Sequence, residues 1–234
     1  GQVRVEGARA TKPGASVSEQ AVIEVDGGRR FVSRGGEKLM NALGRFGVTV
    51  EGRRALDVGA STGGFTDAML REGALEVVAI DVGYGQLAWE LRNDGRVHVL
   101  ERTNARDLVP EMLPFSPDLV TIDVSFISLR TIWPVVHACL EGEWEALVMV
   151  KPQFEVGREN VGSGGVVRDP DVRAHAAETV SRAIEATGVG VRAATDSGVP
   201  GPKGNREMFL HVSSQTSPDS ANANALIAAG VVRA

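Results

Sequence analysis

The sequence predicts an α/β chain built on an open, mostly parallel, seven-stranded sheet with helices on both faces. Three observations carry that expectation. Apolar runs of strand length recur seven times between Ala55 and Ser214 and alternate with helix-length stretches. The first run, Ala55-Leu56-Asp57-Val58, passes directly into a glycine-rich turn from Gly59 to Gly64 and then into a helical pattern. Polar residues close successive runs, at the strand ends where open α/β sheets bind ligands: Asp57, Asp81, Asn104, Asp123 and Lys151.

Taken in order, residues 1–26 alternate in QVRVEG and again in AVIEVDGG around a turn-rich middle. They read as two or three short strands, too few to bury a core of their own. Asp26-Gly27-Gly28 reads as a hinge, and residues 27–33 as a linker. Leu39, Leu43 and Phe46 then recur at helical spacing, with Lys38 in the first turn, where a cation opposes the helix dipole. Further strands are expected at 75–82, 96–102, 117–126, 144–154, 189–199 and 206–214. Helices are expected at 85–92, at 129–140 with Pro134 bending or shortening it, and at 170–186 behind Pro170. The last strand is expected to be antiparallel and at the sheet edge. The main domain is thus placed at 34–214, followed by a polar tail at 215–234 whose end, ALIAAGVV, can pack as a short helix.

The chain has 234 residues, 43% of them hydrophobic, enough for one full domain and a small appendage. No apolar run approaches bilayer length, and GQVRVEGARATK holds no apolar core of a secretion signal, so a soluble, cytoplasmic protein is expected. A single cysteine, Cys139, rules out an intrachain disulfide and agrees with a reducing compartment. The histidines (His98, His137, His175, His211) show no metal-ligand spacing, and no metal is expected. The net charge of −5 excludes a protein that coats nucleic acid indiscriminately. Residues 1–54, however, hold ten Lys or Arg against six Asp or Glu. A basic start beside an acidic body suits a polyanion met on one side. Arg4, Arg9, Lys12, Arg29, Arg30 and Arg34 are the candidate RNA contacts, the last three flanking Phe31.

The turn does not follow the dinucleotide pattern G-x-G-x-x-G. It reads Asp57-x-Gly59-x-x-x-Gly63-Gly64, and an acid at the strand end repels a pyrophosphate. An acid there suits a ligand with a cationic arm, which points to S-adenosylmethionine. Asp81 is placed to accept ribose hydroxyls, and Asn104 or Asp107 to meet the adenine. The backbone N–H groups of Ala60, Ser61 and Thr62 are placed to meet the methionine carboxylate, with Gly63, Gly64 and Phe65 opening the helix behind them. Ser61 and Thr62 are expected to cap that helix.

Five stretches in order, SRGGEKL, ALDVGASTGGFTD, IDVSFISL, LVMVKPQFE and GNREMFL, resemble the TlyA (haemolysin A) family of ribosomal RNA 2′-O-methyltransferases, whose catalytic domain is FtsJ-like. The resemblance covers residues 1 to about 213. It implies a Rossmann-like class I methyltransferase fold and a Lys-Asp-Lys-Glu tetrad, which falls on Lys38, Asp123, Lys151 and Glu207. It implies methyl transfer from S-adenosylmethionine to a ribose 2′-OH, with a cytidine in rRNA of the ribosomal subunits as acceptor. It also implies an N-terminal S4-type RNA-binding domain, of which residues 1–26 are similar to the second half. Three other readings stand beside it: an rRNA-binding assembly factor without turnover, a membrane-active haemolysin, and a dinucleotide oxidoreductase.

Overall fold

The computed structural model describes the chain apart from residues 1–2, 11, 13, 26–29, 202 and 233–234. It divides into two compact units, Gly1–Arg30 and Phe31–Ala234.

The small unit is a three-stranded antiparallel sheet of β1 (Val3–Val5), β2 (Ala8–Arg9) and β3 (Ile23–Val25), in the order β2-β1-β3. Arg4 and Arg9 are cross-strand partners and both are exposed, so they share one face of this sheet. Lys12 and Arg30 are also exposed, and Arg29 lies outside the described residues.

The large unit starts at Phe31. Its ring is 3% exposed and packs so closely on Gly36 that a side chain at Gly36 would collide with it. Phe31 and Val32 are therefore part of this unit's packing and not of a free linker. Helix α1 (Arg34–Phe46) is capped by Ser33, whose hydroxyl accepts the Gly35 N–H, and ends at the left-handed Gly47. Then follow β4 (Arg54–Val58), α2 (Gly64–Arg71), β5 (Glu76–Ile80), α3 (Trp89–Arg92), β6 (Val97–Leu100), β7 (Leu119–Ile122), α4 (Leu129–His137), β8 (Glu145–Val150), α5 (Pro152–Glu155), α6 (Pro170–Glu185), β9 (Gly190–Asp196), β10 (Met208–Ser213) and α7 (Ser220–Val232).

The seven strands of this unit pair in the order β6-β5-β4-β7-β8-β10-β9. The five from β6 to β8 are parallel, and β10 runs antiparallel to both of its neighbours. The last strand is thus antiparallel as expected, but it is internal, and β9 forms the edge. The short link from β9 to β10 explains this, because a link with no crossover helix returns the chain beside the strand it has just left.

Alternate strand residues feed two cores. Leu56, Val58, Val120 and Ile122 meet Trp133 of α4, Val180 of α6 and Ile227 of α7 on one face. Ala55, Val77, Leu147 and Phe209 meet Leu39 of α1 and Met69 of α2 on the other. Both faces are covered, as parallel sheets require. The stretch expected as a polar tail includes the 13-residue helix α7, which buries Ala223 and Ile227. Helix α4 runs through Pro134 and stops at His137.

From β4 the chain steps outward to β5 and β6, then returns to the other side of β4 at β7 and β8. That reversal opens a crevice between the ends of β4 and β7, the usual ligand site of such sheets.

Candidate active site

A cavity of about 590 Å³ occupies this crevice, within the range typical of small-ligand sites. Its walls come from the loop after β4 (Gly59–Gly64), the start of α1, the segments after β7 and β8, a glycine-rich turn around Gly164, and the approach to β10.

The β4 loop is shaped by its glycines. A side chain at Gly59 would sit 2.5 Å from the Asp123 carbonyl oxygen, and one at Gly64 would collide with the Ser33 hydroxyl. Close approach of backbones is what these positions require. The Gly59 and Ala60 N–H groups donate to the Ile80 carbonyl at 2.9 and 3.1 Å, and the Ser61 N–H donates to Asp81 at 2.8 Å. Of the three N–H groups expected to be free for a ligand, those of Ala60 and Ser61 are thus already engaged. Helix α2 is capped by Gly63 in a left-handed conformation, and no side chain of Ser61 or Thr62 caps it. The side chain of Asp67, in its first turn, instead accepts the Val32 N–H at 2.9 Å and a bond from Arg71. That fastens the segment before α1 to the first turn of α2.

Asp57 lines the cavity but does not stand beyond its strand. It is inside β4, 1% exposed, and its two oxygens accept the hydroxyls of Thr66 (2.6 Å) and Thr121 (3.1 Å). Burial pushes its pKa up to about 7, against those two hydrogen bonds. The folded chain therefore holds this proton more tightly than the unfolded chain does. The resulting stabilisation is complete below the unfolded carboxylate pKa near 3.8 and is lost as pH rises to about 7. Between pH 5 and pH 7 we expect the wild type to lose about 2–3 kcal/mol more unfolding free energy than Asp57→Asn, since each pH unit in this window carries about 1.4 kcal/mol. Urea titrations of both proteins at the two pH values measure this, and parallel losses would refute it.

Asp81 follows β5, its two oxygens accept the Ser61 N–H at 2.8 Å and the Gly83 N–H at 2.6 Å, and it does not line the cavity. Asn104 lies four residues beyond β6 and caps a short turn by accepting the Arg106 N–H. Asp107 is exposed, and neither it nor Asn104 lines the cavity.

Lys38, Asp123, Lys151 and Glu207 all line the cavity, although they come from α1 and from the ends of β7, β8 and β10. They form two ion pairs. Lys38, pointing inward from α1, donates to Glu207, and both residues are buried, at 7% and 3% exposure. Lys151 Nζ lies 2.5 Å from Asp123 Oδ1 and donates to Ser125 Oγ at 2.9 Å. The Asp123–Lys151 contact is a close charge pair without an aligned hydrogen bond at Oδ1. Arg34 stands at the rim, exposed, and donates to the Pro200 carbonyl.

Two aromatic rings complete the mouth of the cavity. Phe126 is 91% exposed, has a left-handed backbone (φ 62°), and packs on Phe154 with ring centroids 5.0 Å apart. Reading the fourth main-domain strand through residue 126 hides this ring, since β7 ends at Ile122. An aromatic among polar residues three positions after a strand-end acid is the feature that would have exposed it.

S-adenosylmethionine fits these residues better than a dinucleotide does. A pyrophosphate needs several free N–H donors, and most of those on the β4 loop are spent. The carboxylate of Asp123 in the cavity lining suits a ligand with a cationic arm. Among the described residues no cluster of His, Cys, Asp and Glu is arranged to hold a metal, and no helix is long and apolar enough to cross a membrane.

The FtsJ-like methyltransferase family model matches residues 31–214. The chain is 52% identical to the 16S/23S rRNA (cytidine-2′-O)-methyltransferase TlyA of Mycobacterium tuberculosis, over 92% of this chain and 81% of that protein. It is 40% identical to Hemolysin A of Brachyspira hyodysenteriae, over 90% of this chain and 88% of that one. Among solved structures, a candidate hemolysin from Streptococcus thermophilus superposes with a TM-score of 0.83 at 38% identity, covering 98% of this chain and 86% of the other.

Proposed function

The chain belongs to the FtsJ-like methyltransferases and, within them, to the TlyA family of rRNA 2′-O-methyltransferases, and from that premise we propose that it transfers a methyl group from S-adenosylmethionine to a cytidine ribose 2′-OH in ribosomal subunits. The observation that carries the reading is the convergence of Lys38, Asp123, Lys151 and Glu207 on one cavity beside the glycine loop. When bound, S-adenosylmethionine supplies an electrophilic methyl on a sulfonium leaving group, so the protein's remaining task lies at the acceptor oxygen.

Asp81 would hold the ribose hydroxyls of the donor, and the loop from Gly59 to Gly64 would orient its methionine arm. Lys151 Nζ serves the acceptor 2′-oxygen, with Asp123 and Ser125 fixing its position. The 2′-oxygen would gain the methyl as the methyl–sulfur bond breaks and a neutral thioether leaves, and the 2′-O–H proton would pass to Lys151 or, where Lys151 stays a cation that offsets the developing charge, to solvent. Lys38 and Glu207 line the same cavity and fix the acceptor ribose, so that hydroxyl, methyl and sulfur align. The exposed Phe126 ring stacks on the acceptor base. Arg34 and the small unit's Arg4, Arg9, Lys12, Arg29 and Arg30 meet the RNA backbone, and residues 1–26 act as the RNA-binding S4-type segment.

Mapping tritium from labelled S-adenosylmethionine onto rRNA fragments tests the reading. The expected product is a 2′-O-methylcytidine, and binding of rRNA without transfer would overturn it in favour of a non-catalytic assembly factor. Phe126→Ala is expected to slow transfer about tenfold or more with donor affinity unchanged, because base–aromatic stacking contributes about 1–3 kcal/mol per base. Single-turnover kinetics and calorimetry check this, and an unchanged rate would remove Phe126 from the acceptor site.

A further inference from the structure

We propose that Glu155 is a positioning residue, a clasp that fastens the loop carrying Asp123, Ser125 and Phe126 to the turn carrying Lys151 and Phe154. The proposal rests on the methyl-transfer reading of the cavity for its consequence, and on the hydrogen-bond geometry alone for its structure.

Glu155 ends the short helix α5, for which Lys151 is the N-cap residue, and its side chain is 1% exposed. One carboxylate oxygen accepts the Ser128 hydroxyl at 2.6 Å and the other accepts the Leu129 N–H at 2.7 Å. Both partners belong to the N-terminus of α4, where unpaired N–H groups favour an anion. Arg130 Nε lies 3.8 Å from the same carboxylate. A buried carboxylate is costly unless it is bonded in this way. Glu155 is absent from the cavity lining, so it does not touch donor or acceptor.

Its position explains a strained neighbour. Phe126 holds a left-handed backbone that a bulky residue adopts only when its surroundings force it. The loop is anchored at its start by the Asp123 N–H, which donates to the Val58 carbonyl at 2.9 Å. At its end the anchor is Glu155. The two loops joined by this clasp each supply one member of the Lys151–Asp123 pair and one ring of the Phe126–Phe154 pair. Releasing the clasp lets the loop relax, and both pairs lose register.

Glu155→Ala and Glu155→Gln test this in the full-length chain. The glutamine can keep an acceptor for Leu129 and a contact to Ser128, so it is expected to stay within about threefold of wild type. The alanine variant is expected to lower the single-turnover rate on rRNA by about 10- to 100-fold, as a small misplacement of reacting groups does. Donor affinity and binding stoichiometry by calorimetry should stay unchanged. Without ligand, hydrogen exchange in Glu155→Ala should quicken across residues 123–128 and 151–154 and stay unchanged in β4 and α2. An unchanged alanine rate, a glutamine variant as slow as the alanine, or a loss of donor stoichiometry matching the loss of rate would each overturn the clasp. So would exchange that rises everywhere or only at Leu129. Failure of the wild type to methylate rRNA would sink the methyl-transfer reading, while the exchange comparison would still decide whether Glu155 joins the two loops.

Discussion

Replacing Lys151 by alanine is expected to slow methyl transfer to rRNA by about 10²–10⁴ in single turnover, the span general acid–base groups contribute, while S-adenosylmethionine still binds within about threefold of wild type. The split follows from where Lys151 stands. It extends from the end of β8 into the cavity, and its partners are Asp123 and Ser125 from the segment after β7. The donor's loop belongs to β4 and makes none of these contacts. Removing the ammonium leaves Asp123 without its charge partner, yet Asp123 is only partly buried and water can solvate it. The fold should therefore survive. Lys151→Arg then separates the two roles open to the lysine, because an arginine keeps its charge but cannot accept a proton. Partial activity in Lys151→Arg would identify a cation that offsets charge on the oxygen, and none would identify a base. A Lys151→Ala rate within tenfold of wild type, at full donor stoichiometry, would place the acceptor elsewhere.

What could be read from the sequence was what local periodicity and strand-end chemistry encode. Seven strand-length runs gave seven strands, and Asp81, Asp123 and Lys151 each follow the last residue of a strand. Lys38 is unfavourably placed for the dipole in a helix's first turns, and its buried bond to Glu207 is what holds it there. Pairings between distant segments were not legible. Asp57 does line the cavity, but nothing local shows that Thr66 and Thr121 close on its two oxygens. The Glu155 bonds to Ser128 and Leu129 join segments 26 or more residues apart, as does the bond of the buried Asn205 to Val167. No spacing rule anticipates such contacts. Two of the three N–H groups expected to be free on the β4 loop are taken for a related reason: β5 lies alongside, its last carbonyl accepts that of Ala60, and Asp81, the next residue, accepts that of Ser61.

Glu207→Ala is expected to cost about 3–5 kcal/mol of stability, as the loss of one partner from a buried ion pair does, and to abolish transfer as well. Lys38 would remain buried in the cavity lining with its carboxylate partner gone. Loss of activity in this variant alone therefore cannot tell a catalytic wall from a structural one. The double replacement Lys38→Met with Glu207→Leu can, because removing both charges together leaves no orphan ion, and such exchanges are often neutral or stabilising. Urea unfolding should show the double variant recovering most of the stability lost in Glu207→Ala, and calorimetry should show the donor still binding. Transfer to rRNA should nevertheless stay below detection, since an apolar wall offers the acceptor ribose neither donor nor acceptor groups. If activity returned together with stability, the pair would be a fastening between α1 and the start of β10, and the chemistry would rest on Asp123 and Lys151 alone.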